Sequence, residues 1–225
     1  MGVTLNLRSS DFSGMREMYA RGVYFVLPDF RVRPGDTVVD LGANVGLFTL
    51  LAARIGASAI AVEAQSEFLG EIQANLARNN CHATVLLGLV GAESGVVSRP
   101  GGLSGGSHYK DEPPRIELNE LFALQHVKQV NFLKIDIEGS EYALFSKNTE
   151  WLSRVDKIAM EVHPGFGRLS TITESLSNHG FEFQLRNARL RPVPDLQPPA
   201  SYLYAWHSRD GALHAQTPAL EHSGN

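Results

Sequence analysis

From residue 37 onward, short apolar runs alternate with longer segments whose apolar residues recur at helical spacing. Thr37-Val38-Val39-Asp40-Leu41 reads as a strand, and Gly46 to Arg54 as the helix after it. Ser58 to Glu63 is a second strand. Glu67 to Asn79 then forms an amphipathic helix, with Phe68, Leu69, Ile72 and Leu76 turned inward. Further strands are expected at Ala83–Gly88, Val130–Asp136 and Lys157–Val162. The remaining helices are expected at Leu118–His126, Glu141–Lys147 and Leu169–His179, the last stopping at Gly180, a residue favoured just past a helix end. Strands apolar on both faces, alternating with helices, make a parallel sheet covered on two sides.

The rhythm breaks near the end. Phe181–Arg186 and Ser201–His207 are strand-like, and only a connection with Pro192, Pro194, Pro198 and Pro199 separates them. Such a pair is expected to run antiparallel and to close one edge of the sheet. Residues 1–36 are read as an N-terminal helical cap, with a helix from Ser13 to Arg21 and with Tyr19, Tyr24 and Phe25 near the rim of a ligand. Residues 37–207 form the ligand-binding domain, and the polar, aperiodic residues 208–225 a flexible tail. The Gly/Ser-rich stretch 98–110 is too long for an ordinary connector, which makes it a disordered insertion or a lid.

Composition narrows the function. Of 225 residues, 43% are hydrophobic and 20% charged, which suffices for a core and argues against global disorder. Twenty Lys and Arg against 24 Asp and Glu give a net charge of −4, where a nucleic-acid partner would want a basic face. The single Cys81 excludes an internal disulfide, and no Cys/His cluster has zinc-site spacing. No apolar run nears the roughly 20 residues of a membrane span, and the first residues lack the pattern of a secretory signal. A cytoplasmic protein is expected, without nucleic acid or membrane as partner; a homodimer is left open.

The most informative stretch runs from Val38 to Thr49. A strand ends in Asp40, a loop carries Gly42 and Gly46, and a helix follows. Glycines here let the backbone approach a ligand, and the helix start supplies free N–H donors. The spacing is G-x-x-x-G, not the G-x-G-x-x-G of dinucleotide binders, and Asp40 would repel a pyrophosphate. S-adenosylmethionine (SAM) fits better. Its sulfonium and ammonium favour nearby carboxylates, and its own carboxylate can accept backbone N–H groups. Glu63 ends the next strand about 20 residues on, where an acid can accept from both ribose hydroxyls.

Asp40-Leu-Gly-Ala-Asn-Val-Gly-Leu-Phe-Thr49, Asn131-Phe-Leu-Lys-Ile-Asp-Ile-Glu-Gly-Ser-Glu141 and Met160-Glu-Val-His-Pro164 together resemble the FkbM-type family of SAM-dependent methyltransferases. The likeness runs from about Asp11 to Phe183. It implies a Rossmann-like class I methyltransferase fold and O-methylation, often of hydroxyls on natural products or sugars. By this resemblance Asp40, Gly42 and Glu63 would hold the cofactor. Ala43, Asn44, Gly46 and Asp136 complete the candidate cofactor set, and Asp136, Glu138 and Glu141 form the family's acidic motif. The family usually follows the ribose acid with Pro, where Ala64 stands here, and Leu118-Asn119 replaces its Leu-Asp.

Two strand ends carry the candidate chemistry. In an open parallel sheet ligands bind beyond the carboxyl ends of the strands. Asp136 and Glu138 end one strand; Glu161 and His163 end the next and should project to one side, since Pro164 keeps His163 extended. Carboxylates beside a histidine make a general-base site or a hard-metal site. In the first case His163 takes a proton, oriented by Glu161 or Glu138, so His163, Asp136 and Glu138 are the candidate catalytic residues. In the second, Asp136 and Glu161 hold Mg2+. Glu141 has an ordinary alternative as a carboxylate near the positive end of a helix. The expected reaction is methyl transfer from SAM to a small-molecule hydroxyl acceptor. N- or C-methylation and a non-catalytic SAM-binding domain are the alternatives.

Overall fold

Among the described residues there are nine strands, in chain order β1 (Thr37–Leu41), β2 (Ser58–Glu63), β3 (Thr84–Leu87), β4 (Leu89–Val90), β5 (Arg115–Ile116), β6 (Phe132–Ile135), β7 (Lys157–Val162), β8 (Phe181–Asn187) and β9 (Ser201–His207), seven of them at the apolar runs. The structure is a computed structural model that describes residues 4–5, 12–91, 113–198 and 201–207. The stretch 98–110 and the tail 208–225 lie outside the described residues, as do 1–3 and 6–11. Seven strands form one sheet in the order β3-β2-β1-β6-β7-β9-β8, and β4 and β5 pair separately. β1 runs parallel to β2 and β6, β2 parallel to β3, and β6 parallel to β7. β9 lies antiparallel between β7 and β8, which closes the edge as the final apolar runs implied. Strand order reverses between β1 and β6, and that switch point opens the crevice in which sheets of this kind bind ligands.

The helices are α1 (Phe12–Met15), continued as a π-helical segment (Arg16–Arg21), α2 (Leu47–Ile55), α3 (Ser66–Arg78), α4 (Leu118–Leu124), α5 (Glu141–Leu144) and α6 (Leu169–Asn178), with a 3₁₀ turn at Thr149–Arg154. Period-2 alternation sorts the sheet into two cores. On one face Val39, Leu133, Ile158 and Met160 pack with Phe122 of α4, Trp151 of the 3₁₀ turn and Ile172 of α6. On the other, Val38, Phe132, Ala159 and Tyr204 pack with Phe48 of α2 and with Val23, Tyr24 and Phe30 of the cap. Phe25 stacks on Phe48 at 5.7 Å, and Phe30 meets Phe132 edge-on at 5.9 Å. The Tyr204 hydroxyl donates to the Val23 carbonyl and ties the cap to β9.

Some boundaries differ from the sequence reading, each for a local reason. The helix expected over Glu141–Lys147 is the four-residue α5, because Asn148 turns left-handed at φ 54° and starts the 3₁₀ turn. The helix expected to reach His126 ends at Leu124, where His126 takes φ 53°. Val130 stands outside β6 and bridges only to Val155. The β4–β5 pair, two residues a strand, is too short to leave a periodic trace. On α3 the buried residues are Ile72, Asn75 and Leu76, while Phe68 and Leu69 are half-buried. Among the described residues no helix is long and apolar enough to cross a membrane.

Phe132 is fully buried where the cap meets the sheet. Phe132→Ala should therefore cost about 3–5 kcal/mol, read as a shifted urea midpoint. A loss below about 1 kcal/mol would show that the aromatic cluster does not hold the cap.

Candidate active site

The loop after β1 is built by backbone constraint. Gly42 sits at φ 76°, and a Cβ there would fall 1.8 Å from the Asp136 carbonyl oxygen, so only glycine lets β1 and β6 come this close. The Gly42 and Ala43 amides both donate to the Val62 carbonyl, at 2.9 and 3.2 Å. Asn44, at φ 51°, donates its amide to Glu63 Oε2 at 2.7 Å, and its Oδ1 accepts from the Val45 amide at 2.8 Å. The Gly46 amide donates to the Ala43 carbonyl at 2.8 Å. From α3, the buried Asn75 donates to the Val45 carbonyl at 2.9 Å.

Glu63 lies at the carboxyl end of β2, buried beside this loop. Its Oε1 accepts from the Gln65 amide at 2.9 Å, so each oxygen carries one N–H and keeps acceptor capacity for a ligand. Burial raises its pKa, against the lowering effect of the Gln65 and Asn44 amides.

Asp40 lies beneath the loop. It is fully buried; Oδ2 accepts from Thr49 Oγ1 at 2.6 Å and from the Thr49 amide at 3.2 Å. Oδ1 lies 3.1 Å from Lys134 Nζ. The ammonium also donates to the Gly42 carbonyl at 2.6 Å and the Leu41 carbonyl at 3.3 Å. Burial works against the Lys134 charge, yet Asp40, Asp136 and Glu63 hold its pKa above the ordinary lysine value. Asp40 thus bears on the crevice through the loop it supports, and its charge is matched from below.

The strand ends gather the acidic residues. Asp136 accepts at Oδ2 from the Tyr24 hydroxyl at 3.0 Å, so the cap reaches the site. Glu138 takes φ 54° and Gly139 φ 98°, a turn that brings the chain back toward β7. His163 Nδ1 is 2.9 Å from Glu141 Oε1, and Glu141 is fully buried. The Gly139 amide donates to the same oxygen at 3.2 Å. His163 Nε2 is 3.5 Å from Glu138 Oε2 and 3.9 Å from Glu161 Oε1. Glu161 and His163 therefore share a side, and Glu141 is the carboxylate bonded to the ring. The Tyr142 hydroxyl donates to the His163 carbonyl at 3.0 Å and holds the backbone.

So many carboxylates shift each other. Burial opposes a charged His163, but the Glu141 hydrogen bond and charge, with Asp136 and Glu138, push its pKa up to about 10. Burial, reinforced by Asp136, raises Glu161 to about 9. The same causes raise Glu138 to about 7, although its side chain is 56% exposed and water screens it. Asp136, Glu138 and His163 each offer one ligand atom, all within 4.8 Å of one another. Two carboxylates and an imidazole fit a divalent cation; Glu161 is not in that trio.

Lys134 and Asn75 escaped the sequence reading, although each left a trace. A lysine inside the apolar strand Phe132–Ile135, and an asparagine at the inward position between Ile72 and Leu76, both mark buried polar partners.

Comparisons with known proteins bear on the family and the fold. The family profile described as Methyltransferase FkbM domain matches residues 40–183, more than half of the chain. A 31-O-demethyl-FK506 methyltransferase FkbM of Streptomyces tacrolimicus is 26% identical, over 67% of this chain and 74% of that protein. The magnesium protoporphyrin IX methyltransferase ChlM of Synechocystis PCC 6803, solved with bound SAM, superposes with a TM-score of 0.51 at 15% identity, over 92% of this chain and 87% of its own. A TehB-like SAM-dependent methyltransferase of Corynebacterium glutamicum gives 0.50 at 11% identity, over 88% of this chain and 96% of its own. At these identities the structures establish the class I methyltransferase fold, and the profile establishes the rest: the chain belongs to the FkbM family of SAM-dependent methyltransferases.

Proposed function

We propose that the chain transfers the methyl group of SAM to a hydroxyl of a small molecule, with His163 as the general base. The observation that carries this reading is the pairing of His163 Nδ1 with the buried Glu141 while Nε2 faces the crevice beside Glu138 and Glu161. A ring held this way presents one basic nitrogen in a fixed direction, as proton abstraction requires. The name of the Streptomyces tacrolimicus relative, an O-demethyl product's methyltransferase, also favours oxygen as the acceptor atom. Natural-product and sugar hydroxyls are the acceptor class this suggests.

SAM supplies an electrophilic methyl, whose transfer to the acceptor oxygen leaves the neutral thioether. Gly42, Ala43, Asn44 and Gly46 shape the loop against it, and Glu63 accepts from the ribose hydroxyls with the lone pairs its two amide donors leave. Asp40 acts through the loop. Asp136, steadied by Tyr24, borders both the cofactor and the acceptor. His163 Nε2 takes the hydroxyl proton as the oxygen–carbon bond forms, acting from its neutral ring. That ring is the minority form of the ligand-free site below about pH 10, and the form that an incoming sulfonium favours. Glu141 stabilises the resulting imidazolium. Should Mg2+ bind, Asp136, Glu138 and His163 would hold it, and it would lower the hydroxyl pKa.

Methyl-labelled SAM incubated with panels of alcohols, sugars and amines tests the reading. Label recovered as an ether supports it; label on nitrogen or carbon overturns it. His163→Ala should lower kcat by about 10²–10⁴-fold while SAM affinity stays nearly unchanged. Near-normal turnover at saturating acceptor would transfer the base role to Glu138. Glu63→Ala should weaken SAM binding by at least about tenfold in titration calorimetry, since a charge-assisted hydrogen bond contributes roughly 1.5–3 kcal/mol.

The acidic cluster also links protonation to folding. Glu161 moves from 4.5 to about 9 on folding, so between those values the folded state binds more protons than the unfolded chain. His163, raised from 6.5 to about 10, acts in the same sense over its own window. Stability of the ligand-free protein should therefore fall as pH rises from about 4.5 through 10. Glu161→Gln, which fixes the neutral form, should flatten the slope of urea midpoint against pH. An unaltered slope would remove Glu161 from the linkage.

A further inference from the structure

We infer that Lys134 is a positioning residue for the cofactor: its buried ammonium sets the peptide planes of the loop after β1, and thereby fixes how Glu63 and the loop amides meet SAM. The inference rests on the proposed SAM site at that loop.

An ammonium has three N–H donors. Lys134 Nζ has three acceptors in reach: Asp40 Oδ1 at 3.1 Å, the Gly42 carbonyl at 2.6 Å and the Leu41 carbonyl at 3.3 Å. Two donors go to the carbonyls and the charge is paired with Asp40, so the side chain acts through the groups it holds. An ordinary buried ion pair would end at Asp40, its neighbour across β1 and β6. This one continues into the loop.

The consequence lies in the peptide planes. The Leu41–Gly42 plane is held at its carbonyl by Lys134 and by the Asp136 amide, and at its N–H by the Val62 carbonyl. The next plane, Gly42–Ala43, is held at its carbonyl by Lys134 and at its N–H by Val62 again. Two successive planes are thus pinned on both sides. The third, Ala43–Asn44, continues from them and is held at its carbonyl by the Gly46 amide at 2.8 Å and at its N–H by Glu63 Oε2 at 2.7 Å. Without Lys134 two carbonyls lose a charged donor, the loop gains freedom, and Glu63 loses a fixed partner.

Charge is the competing account, and it predicts something different. Lys134 matches Asp40, so together they add no net charge beneath the cofactor. If Lys134 acted by its field, removing it would expose the Asp40 charge and favour cationic SAM over its neutral demethylated product, S-adenosylhomocysteine. If it acts by geometry, both ligands weaken together.

Lys134→Met alone leaves a buried carboxylate unpaired and risks misfolding. The decisive variant is therefore the neutral pair Asp40→Asn with Lys134→Met, whose thermal midpoint reports folding while calorimetry measures both ligands. The expected result is a folded protein that binds SAM and its demethylated product at least about tenfold more weakly, with their affinity ratio unchanged and the activity loss expressed in KM for SAM. Unchanged affinities in the folded variant would overturn the inference and leave Lys134 a stabilising residue. A shift of the ratio toward SAM in folded Lys134→Met, where Asp40 keeps its charge, would overturn it in favour of charge. Wild-type protein that binds neither ligand would defeat the SAM-site reading itself, and the inference with it.

Discussion

Four carboxylates and one imidazole crowd the carboxyl ends of β6 and β7, and the crevice tolerates them only by retaining protons or admitting a cation. Asp136, Glu138, Glu141 and Glu161 surround His163, whose ring lies within 3.9 Å of three of them. Asp136 and Glu138 also bring carboxylate oxygens within 4.8 Å of each other, where each disfavours the other's ionisation. Burial first, and then the charge of Asp136, raises Glu161 and Glu138, while the surrounding carboxylates raise His163 against its own burial. A sulfonium brought alongside relieves the same repulsion. Affinity for a cationic cofactor and reluctance to ionise without one are two faces of a single imbalance.

The loop after β1 solves the opposite problem. Asp40 carries a charge into the protein interior, where Lys134 cancels it at 3.1 Å. Shape is thus assigned to the loop and charge to the acidic cluster. Alternation along the strands produces the division. Val38 and Phe132 face the cap, and two residues further Asp40 and Lys134 keep to that face beneath the aromatics. Glu161, two residues past Ala159, emerges on the same face opposite Tyr202, whose pKa its charge and burial raise well above the ordinary tyrosine range.

What sequence made legible was periodic or local. Seven strands announced themselves by apolar runs, and the glycine loop by its two glycines, because both features lie within a dozen residues. Contacts made across the fold left no spacing to read. Glu141 meets His163 from 22 residues away, and Tyr24 meets Asp136 from 112. The histidine's expected partners were therefore its neighbours on the strand ends, Glu161 and Glu138, and the ring turned instead to a carboxylate at the start of α5. That carboxylate also accepts from the Gly139 amide, so the helix-end role considered for it and its role beside His163 coincide in one oxygen.

The FkbM profile begins at Asp40, so the cap falls outside the matched segment. The cap nevertheless enters the site: Tyr24 hydrogen-bonds Asp136, and its ring lies 5.6 Å from Lys134 Nζ. Glu17 and Arg21, from the π-helical segment, act by their charges on Tyr202 at the other side of the crevice. The proposed cofactor loop, ribose acid and base all lie on strand ends inside the family segment, where the parallel sheet dictates their spacing. The cap reaches Asp136 and Lys134 from a part of the chain the sheet does not constrain. The glycine loop and the His163–Glu141 pair are thus set by the family segment, while Tyr24 adds the cap's own contact at Asp136.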